Sequence, residues 1–375
     1  MKKMYFNNIK EWEKVSAVCE TKDKIWGSVT TIEEKSSDGY YMFDFDNERF
    51  ASLYFSGGIG NRTKRIIPGA LSLCLEKKFS KTKGEDLTYL VSRRSKKVGK
   101  IDNYTLTDEV NLAYRKDKSK KISIFVPDHY NGETSYDLLY FFDAQNLFSN
   151  SGEYTENGDP YGSWQLDIVM DELHTQYGKN IIVVGIDNAD EYRSKELFMN
   201  PDDFGTLTPI ACSIPNDNFA VGYLDNLSDF MMNTLHSFVK EHYNIKEDNI
   251  GIGGSSMGGI AALYCGIREL GFYKYILSYS PAFGLYSKDS FDNFFRKKDF
   301  RENQGILPKI HVYCGEGDPL ERKLLPAARG MKWHLTKNGY NGDLVYETYD
   351  NEKLHNEESW RLILPESFTL LFDLE

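Results

Sequence analysis

The feature that most constrains the fold is a glycine-rich stretch, NIGIGGSSMGG, at residues 249–259. Its alternating isoleucines are typical of a short buried strand, and the small residues that follow are typical of the start of a helix. Gly254 and Gly258 frame Ser256 in the pattern G-x-S-x-G. A serine at the tip of a tight strand-to-helix turn needs such neighbours, because the backbone there adopts conformations that a Cβ resists. If Ser255 were the central serine, Met257 would take the position of the second glycine, and its side chain is too large for the turn. Ser256 is therefore the candidate nucleophile. The alternative is a glycine-rich connection with no chemical role.

The chain has two parts with different sequence patterns. Residues 1–97 carry dense aromatic side chains in short runs broken by Asn, Asp and Gly, which predicts a small antiparallel β-sandwich. Residues 98–375 alternate apolar strands with helical patterns, which predicts a doubly wound, mostly parallel α/β sheet. Ligands of such sheets bind at the carboxyl ends of the strands, and Ser256 would lie there.

Composition excludes several classes of partner. The formal net charge of −11 argues against nucleic acid, which requires clustered Lys and Arg. The five cysteines are far apart and form no C-x-x-C pair, so we expect reduced thiols and no metal site. We find no secretory leader and no stretch near the roughly 18 apolar residues of a membrane span, so we expect no membrane partner. This favours a cytoplasmic protein, or a secreted one if a leader was removed.

A serine nucleophile needs a histidine as base, and on the α/β-hydrolase fold that histidine follows both the serine and an acid in the chain. Of the seven histidines, four precede Ser256 and are excluded by this order: His129, His174, His236 and His242. His311 lies in an apolar strand pattern and His334 in a helix predicted over 327–337. His355 remains, in a loop between a strand and a helix, and is the candidate base.

The acid should follow the strand predicted at 310–313. The next loop, CGEGDPLE, contains three carboxylates: Glu316, Asp318 and Glu321. We select Asp318 as the acid of the triad, with Glu316 as the alternative.

An oxyanion hole requires two backbone N–H groups aimed at the developing charge. One should come from Met257, directly after the nucleophile. The second should come from the loop after the strand at 138–142, where we favour the Gln145 N–H over that of Ala144. The side chains of Asp143 and Asn146 in this loop are typical of turn capping.

Several segments of residues 98–375 resemble the putative-esterase branch of the α/β-hydrolases, which includes feruloyl and acetyl xylan esterases, S-formylglutathione hydrolase and enterochelin esterase. The matching segments are IFVPDHY at 124–130, FDAQNLF at 142–148, GSW at 162–164, VVGIDN at 183–188, SPAF at 280–283, the loop at 315–318 and HNE at 355–357 with Trp360. The resemblance implies a triad of Ser256, Asp318 and His355. In the oxyanion loop, Ala144 stands where the family usually has glycine. Residues 201–218 look like a variable lid. The substrate contacts of this lid stay unassigned, and we expect substrate contacts from five other residues: Asp143, Trp164, Asn188, Arg193 and Phe283.

Residues 1–97 resemble the β-sandwich starch-binding modules of amylases. The resembling segments are YFNN at 5–8, Trp12, Val15, WG at 26–27, DGYY at 38–41, Phe55 and NRT at 61–63. Glucan binding needs an exposed ring that stacks on a sugar and polar groups that reach its hydroxyls. The resemblance implies carbohydrate contacts from Trp12, Trp26 and Arg62, with an α-glucan as a partner. The alternative is a structural sandwich that shapes the entrance to the active site.

Together these patterns predict a serine carboxylesterase that removes a small acyl group from a carbohydrate through an acyl-enzyme, with no metal or organic cofactor. One alternative is a siderophore-type ester hydrolase, with Arg193 in a basic pocket for an anionic catecholate. Another is a glucan-binding protein whose hydrolase domain is vestigial. The sequence leaves open the acyl group, the alcohol and a homo-oligomeric state.

Overall fold

The structure, a computed structural model, divides into two compact units, Met1–Lys97 and Val98–Leu374. It describes residues 2–6, 13–21, 26–35, 41–46, 49–58, 61–62, 98–148, 163–187, 191–209 and 221–373. Within these ranges, no helix combines the length and the apolar character needed to cross a membrane.

The N-terminal unit contains the β structure that the sequence predicts. Its strands are β1 Lys2–Phe6, β2 Ser16–Thr21, β3 Trp26–Thr31, β4 Tyr41–Phe45, β5 Phe50–Gly58 and β6 Asn61–Arg62. β1 and β4 form one antiparallel pair, and the other four form a sheet in the order β3-β2-β5-β6. Opposed pairs such as Ala17 with Phe55 and Cys19 with Leu53 are buried, and Phe45 of β4 joins the same core. The two sheets therefore share one hydrophobic core.

The second unit is built on a mixed sheet of eight strands. They are β7 Gly99–Thr107, β8 Ser119–Pro127, β9 Tyr136–Phe142, β10 Ile181–Ile186, β11 Ile245–Ser255, β12 Tyr275–Tyr279, β13 Lys309–Gly315 and β14 Val345–Asp350. Their order is β14-β13-β12-β11-β9-β10-β8-β7. From β14 to β10 all neighbours are parallel, and β8 is antiparallel to both β10 and β7. The predicted doubly wound α/β sheet is confirmed, with an antiparallel edge.

Helices connect and cover these strands. They are α1 Leu166–Tyr177, α2 Arg193–Glu196, α3 Pro201–Phe204, α4 Leu224–Phe230, α5 His236–His242, α6 Met257–Arg268, α7 Lys288–Arg296, α8 Pro319–Lys337 and α9 Glu357–Phe372. A π-helical turn, Met231–Leu235, joins α4 to α5. Short 3₁₀ helices occur at Ala144–Asn146, Phe283–Leu285, Gln304–Ile306 and Gly342–Leu344.

One helix begins earlier than predicted. α8 covers the expected segment at 327–337, but it starts at Pro319, with Asp318 at its N-cap. Asp is a preferred N-cap residue, and proline is favoured at the first helical position because its missing N–H would have no partner there. This early start places the first turn of α8 directly after β13, at the carboxyl end of the sheet.

The core of the second unit lies around the central strands. All seven residues of β9 and all six of β10 are buried, as expected for parallel strands covered on both faces. Helix α6 packs on the adjacent strands with ten buried residues out of twelve. The sheet is therefore a rigid platform, and the loops at its carboxyl edge are held by buried strands.

Candidate active site

Ser256 lies at a sharp turn between β11 and α6, as the glycine pattern predicts. Its φ of 56° and ψ of −116° are unusual for a residue with a side chain. A Cβ on Gly254 would lie 2.5 Å from the carbonyl oxygen of Gly258, so the turn closes only with glycine there. The Ser256 N–H donates to the Tyr279 carbonyl at 2.9 Å, and its carbonyl accepts the Ala282 N–H at 3.0 Å. These bonds hold the strained residue, and its hydroxyl does not cap α6.

His355 lies in the loop between β14 and α9, where the sequence places it. Its Nδ1 is 3.1 Å from Oε1 of Glu321, and the exposed fraction of its side chain is 14%. The imidazole meets the Trp360 ring edge-on, with 5.0 Å between ring centroids. A carboxylate and an indole therefore fix the ring orientation, and Nε2 is the nitrogen left to face a reactant.

The carboxylate of Glu321 is fully buried and bound on both oxygens. Oε1 also accepts the Ser280 hydroxyl at 2.5 Å, while Oε2 accepts the Gly315 N–H at 3.0 Å and contacts Cys314 Sγ at 3.1 Å. The Trp360 indole N–H in turn donates to Ser280 Oγ at 2.8 Å. Several donors thus offset the cost of burying a charge, as a permanent partner of an imidazole requires.

Asp318, the predicted acid of the triad, contacts backbone N–H groups in the structure and not the imidazole. Its Oδ1 accepts the N–H groups of Leu320 and Glu321 at 2.8 and 2.9 Å, and its Oδ2 accepts the backbone N–H of His355 at 2.6 Å. Burial raises the pKa of this carboxyl, but the three backbone donors outweigh burial and leave the pKa below its usual value. Both oxygens serve the backbone as a helix cap, so Asp318 positions the His355 loop rather than the ring.

The alternative acid, Glu316, is paired with an arginine side chain. Its Oε1 pairs with Arg329 of α8 at 2.5 Å. The sequence does contain a signal that Asp318 caps a helix. The segment DPLE at 318–321 has an N-cap Asp, a proline in the first turn and a Glu three positions after the cap. In that pattern the Asp318 side chain caps the helix, and the Glu321 side chain, on the first turn of α8, can point into the core.

Adjacent strand ends bring the serine and the histidine to one side of the sheet. Ser255 of β11 is paired with Tyr279 of β12, and Tyr279 with Tyr313 of β13. Ser280, directly after β12, binds Glu321 through its hydroxyl. Among the described residues no hydrogen bond joins Ser256 Oγ to the imidazole, whose hydrogen-bond partner is Glu321. Catalytic contacts of this kind often tighten only when substrate is bound.

The predicted oxyanion loop follows β9 at the same edge. Asp143 has φ 61° and ψ 54° and leads into the 3₁₀ helix Ala144–Asn146, whose second residue is Gln145. A Cβ on Gly258 would lie 3.2 Å from Asp143 Oδ2, so this loop passes close to the start of α6. Met257 is the first residue of α6, and N–H groups in a first helical turn lack intrahelical acceptors. The two predicted donors are thus on neighbouring segments.

Two further side chains expected at the site are bound to each other. Arg193, the first residue of α2, donates from Nε to Asp143 Oδ1 at 2.7 Å and from Nη2 to Oδ2 at 2.9 Å. Asp143 is 5% exposed, and the Arg193 side chain is 36% exposed. The pair is bidentate, the geometry in which guanidinium and carboxylate bind most strongly.

Two expected substrate contacts, Trp164 and Phe283, lie in the core. Each is 1% exposed. Trp164 stacks on Trp360 at 5.3 Å between ring centroids, and Phe283 packs edge-on against Phe291 at 5.7 Å. These predictions are corrected because large rings gain more by burial than by exposure, and Trp164 lies just before α1 while Phe283 begins a 3₁₀ helix. Trp164 instead supports the indole that contacts His355.

The remaining expected contacts lie outside what the structure describes. Asn188 and Trp12 are outside the described residues. Trp26 and Arg62 belong to β3 and β6, but their side chains are likewise outside the described part.

The two other downstream histidines have structural partners. His311 in β13 contacts Ser367 and Thr348, and burial lowers its pKa to about 3. His334 in α8 is 2.9 Å from Asp292. Across the described ranges, no cluster of His, Cys, Asp and Glu has the composition of a metal site.

Most of the second unit matches a known protein family. The family described as Putative esterase matches residues 115–369. No curated protein matches the sequence.

Solved structures share the fold at low identity. A ferulic acid esterase superimposes with a TM-score of 0.50 at 16% identity, over 74% of this chain and 99% of its own. The BES protein from Bacillus cereus gives 0.51 at 13% identity, over 79% and 99%. An IroE-like serine hydrolase from Shewanella oneidensis gives 0.52 at 14% identity, over 73% and 78%. The similarity confirms the predicted fold class.

We predict that Asp318→Asn destabilises the protein more at neutral pH than in acid. A carboxyl whose pKa is lowered by folding contributes stability above its unfolded pKa of about 3.9, and this contribution is lost as the pH falls through the folded pKa. The variant should lose about 1 kcal/mol of unfolding free energy at pH 7 relative to wild type and a smaller amount at pH 3, below the unfolded pKa. Urea unfolding at both pH values measures the difference.

The matched control is Asp343→Asn, because Asp343 is exposed in a surface 3₁₀ helix. It should not change the pH dependence of stability. An equal loss for Asp318→Asn at pH 7 and pH 3 would show that its ionisation does not stabilise the fold.

Proposed function

The chain belongs to the Putative esterase family, and from this premise we propose that it is a serine esterase with a triad of Ser256, His355 and Glu321. The chain is a carboxylic ester hydrolase by family. The observation that carries the residue assignment is the contact between the His355 imidazole and the buried Glu321 carboxylate, at the strand edge that also holds Ser256.

The proposed reaction follows from this geometry. His355 Nε2 removes the Ser256 proton as Oγ attacks the ester carbonyl, and Glu321 stabilises the imidazolium through Nδ1. The backbone N–H groups of Met257 and Gln145 bind the oxygen that becomes negative. The imidazolium then donates its proton to the departing alcohol, which leaves an acyl-enzyme on Ser256. Water activated by the same imidazole releases the acid.

Glu321 suits this role better than Asp318 for an electrostatic reason. An imidazolium formed in a buried site needs a negative partner whose other contacts do not change during the reaction. Glu321 Oε1 faces the ring, while the Ser280 hydroxyl and the Gly315 N–H hold the carboxylate in place. The Asp318 oxygens are directed to backbone N–H groups.

For the substrate, we propose an uncharged ester of a carbohydrate with a small or aromatic acyl group. The support is the resemblance of residues 1–97 to starch-binding modules, together with the pairing of Arg193. An anionic catecholate, as a siderophore-type substrate carries, needs an available cation in the pocket, and the guanidinium of Arg193 makes two bonds to Asp143. A net charge of −11 also disfavours an anionic substrate.

We predict that Ser256→Ala abolishes hydrolysis of p-nitrophenyl acetate. Without the hydroxyl no acyl-enzyme can form, so kcat/KM should fall by about 10⁴-fold or more. Release of p-nitrophenol measures the rate. Ser255→Ala is the adjacent control and should keep most activity, since Ser255 is the last residue of β11 and is buried. Equal residual rates for Ser256→Ala and wild type would contradict the assignment.

We also predict that Glu321→Gln lowers kcat much more than Asp318→Asn. Glutamine keeps the shape but removes the charge that stabilises the imidazolium, so kcat should fall by about 10²- to 10⁴-fold. Asp318→Asn should lower kcat by less than about 10-fold, because its contacts are with the backbone. Steady-state kinetics of both variants, with their melting temperatures, decide between them. The reverse order of the two losses would identify Asp318 as the acid.

A panel of esters tests the proposed substrate class. We expect acetylated and feruloylated saccharides to give a higher kcat/KM than short-chain aryl esters of the same acyl group, and an anionic catecholate ester to be the poorest. Amylopectin in the gel should retard the protein in affinity electrophoresis if residues 1–97 bind glucan. Preference for the anionic ester would favour the siderophore-type alternative.

A further inference from the structure

Asp143 has a backbone conformation that is uncommon for a residue with a side chain. It has φ 61° and ψ 54°, in the left-handed region, at the point where β9 ends and the 3₁₀ helix Ala144–Asn146 begins. A side-chain-bearing residue there costs free energy and persists where its surroundings over-determine it. The next two peptide units carry the N–H groups of Ala144 and Gln145, so the direction of both donors depends on this conformation.

The carboxylate of Asp143 lies between the two segments that would supply the oxyanion donors. One segment is its own loop, and the other is the elbow, since a Cβ on Gly258 would lie 3.2 Å from Asp143 Oδ2. The carboxylate is 5% exposed, so its charge needs a partner. Arg193 supplies that partner through two bonds of 2.7 and 2.9 Å.

Arg193 is itself anchored at the far end of its helix. α2 has four residues, and its last, Glu196, is fully buried. Glu196 binds Lys120 of β8 and the Arg115 guanidinium, the latter at 2.6 Å, and accepts the Tyr114 hydroxyl at 2.9 Å. A buried ion cluster therefore fixes α2 to the sheet edge, and α2 presents Arg193 to Asp143 from a rigid base.

We propose that Arg193 is a positioning residue for catalysis: through Asp143, it holds the loop after β9 so that the Gln145 N–H points at the developing oxyanion. This inference rests on the proposed serine-esterase function and goes beyond it. In this role Arg193 acts through Asp143 and does not contact substrate. A donor that is already aligned stabilises the transition state more than the ground state, so loss of Arg193 lowers kcat rather than raising KM.

The test compares Arg193→Gln, Arg193→Lys and Asp143→Asn with wild type in hydrolysis of p-nitrophenyl acetate. Arg193→Gln should lower kcat by about 10- to 100-fold and change KM by less than about threefold. Arg193→Lys keeps the charge but not the bidentate geometry, so it should recover part of the loss. Asp143→Asn should resemble Arg193→Gln, and the double variant should lose little more than either single one, since both act through one pair.

Affinity for a transition-state analogue separates positioning from general destabilisation. An arylboronic acid, which forms a tetrahedral adduct on the serine, should bind more weakly to Arg193→Gln by the same factor as kcat falls, while the melting temperature stays close to that of Arg193→Lys. Arg296→Gln is the control, because Arg296 is exposed on α7, and its kinetics should match wild type.

The outcomes distinguish this inference from the proposed function. If Ser256→Ala abolishes hydrolysis but both Arg193 variants keep wild-type kcat, the positioning role is wrong and the triad stands. A raised KM at unchanged kcat would instead make Arg193 a substrate-binding residue. If Ser256→Ala retains full activity, the proposed function itself is wrong.

Discussion

One buried carboxylate joins three segments at the carboxyl edge of this sheet. Glu321 has no exposed surface, and its two oxygens contact the segment after β12, the end of β13 and the His355 ring. Burying such a charge is unfavourable unless it is fully bound, so these three segments must assemble around it at the same time. The position of His355 is therefore a property of the packed sheet. Asp318 adds to this by capping α8 and binding the backbone of the same loop.

A second constraint is local strain at three neighbouring strand ends. Asp143, Ser256 and Ser280 follow β9, β11 and β12, and all three have positive φ values, of 61°, 56° and 41°. Each turns the chain sharply as it leaves a buried strand, and each is held by contacts to another segment rather than by its own preference. At these three positions the chain turns as it leaves the sheet, and the buried strands below supply the stability that maintains the strain.

The positions of the Ser256 turn and the His355 loop are predictable from the sequence because chemistry and local geometry coincide there. The turn around Ser256 needs glycine at fixed positions, so its pattern is visible in the chain. Elimination of histidines led to His355, because only that one lies in a loop after the relevant strand. Glu316, Asp318 and Glu321 occur within six residues, and spacing alone cannot say which of them turns inward to contact the imidazole. Trp164 and Phe283 were expected at a surface, and both are buried.

The sequence by itself determined the alternation of strands and helices, the strained serine and the set of candidate partners, because these depend on residue type and on neighbours in the chain. Only the tertiary structure decided which of these side chains contact one another. Glu321 reaches the imidazole because an aspartate cap starts α8 directly after β13 and leaves the next acidic side chain facing the core. Arg193 meets Asp143 across 50 residues because a buried ion cluster fixes α2 beside the sheet. Contacts of this kind join segments that are distant in the chain, and their energies depend on burial, which no local pattern records.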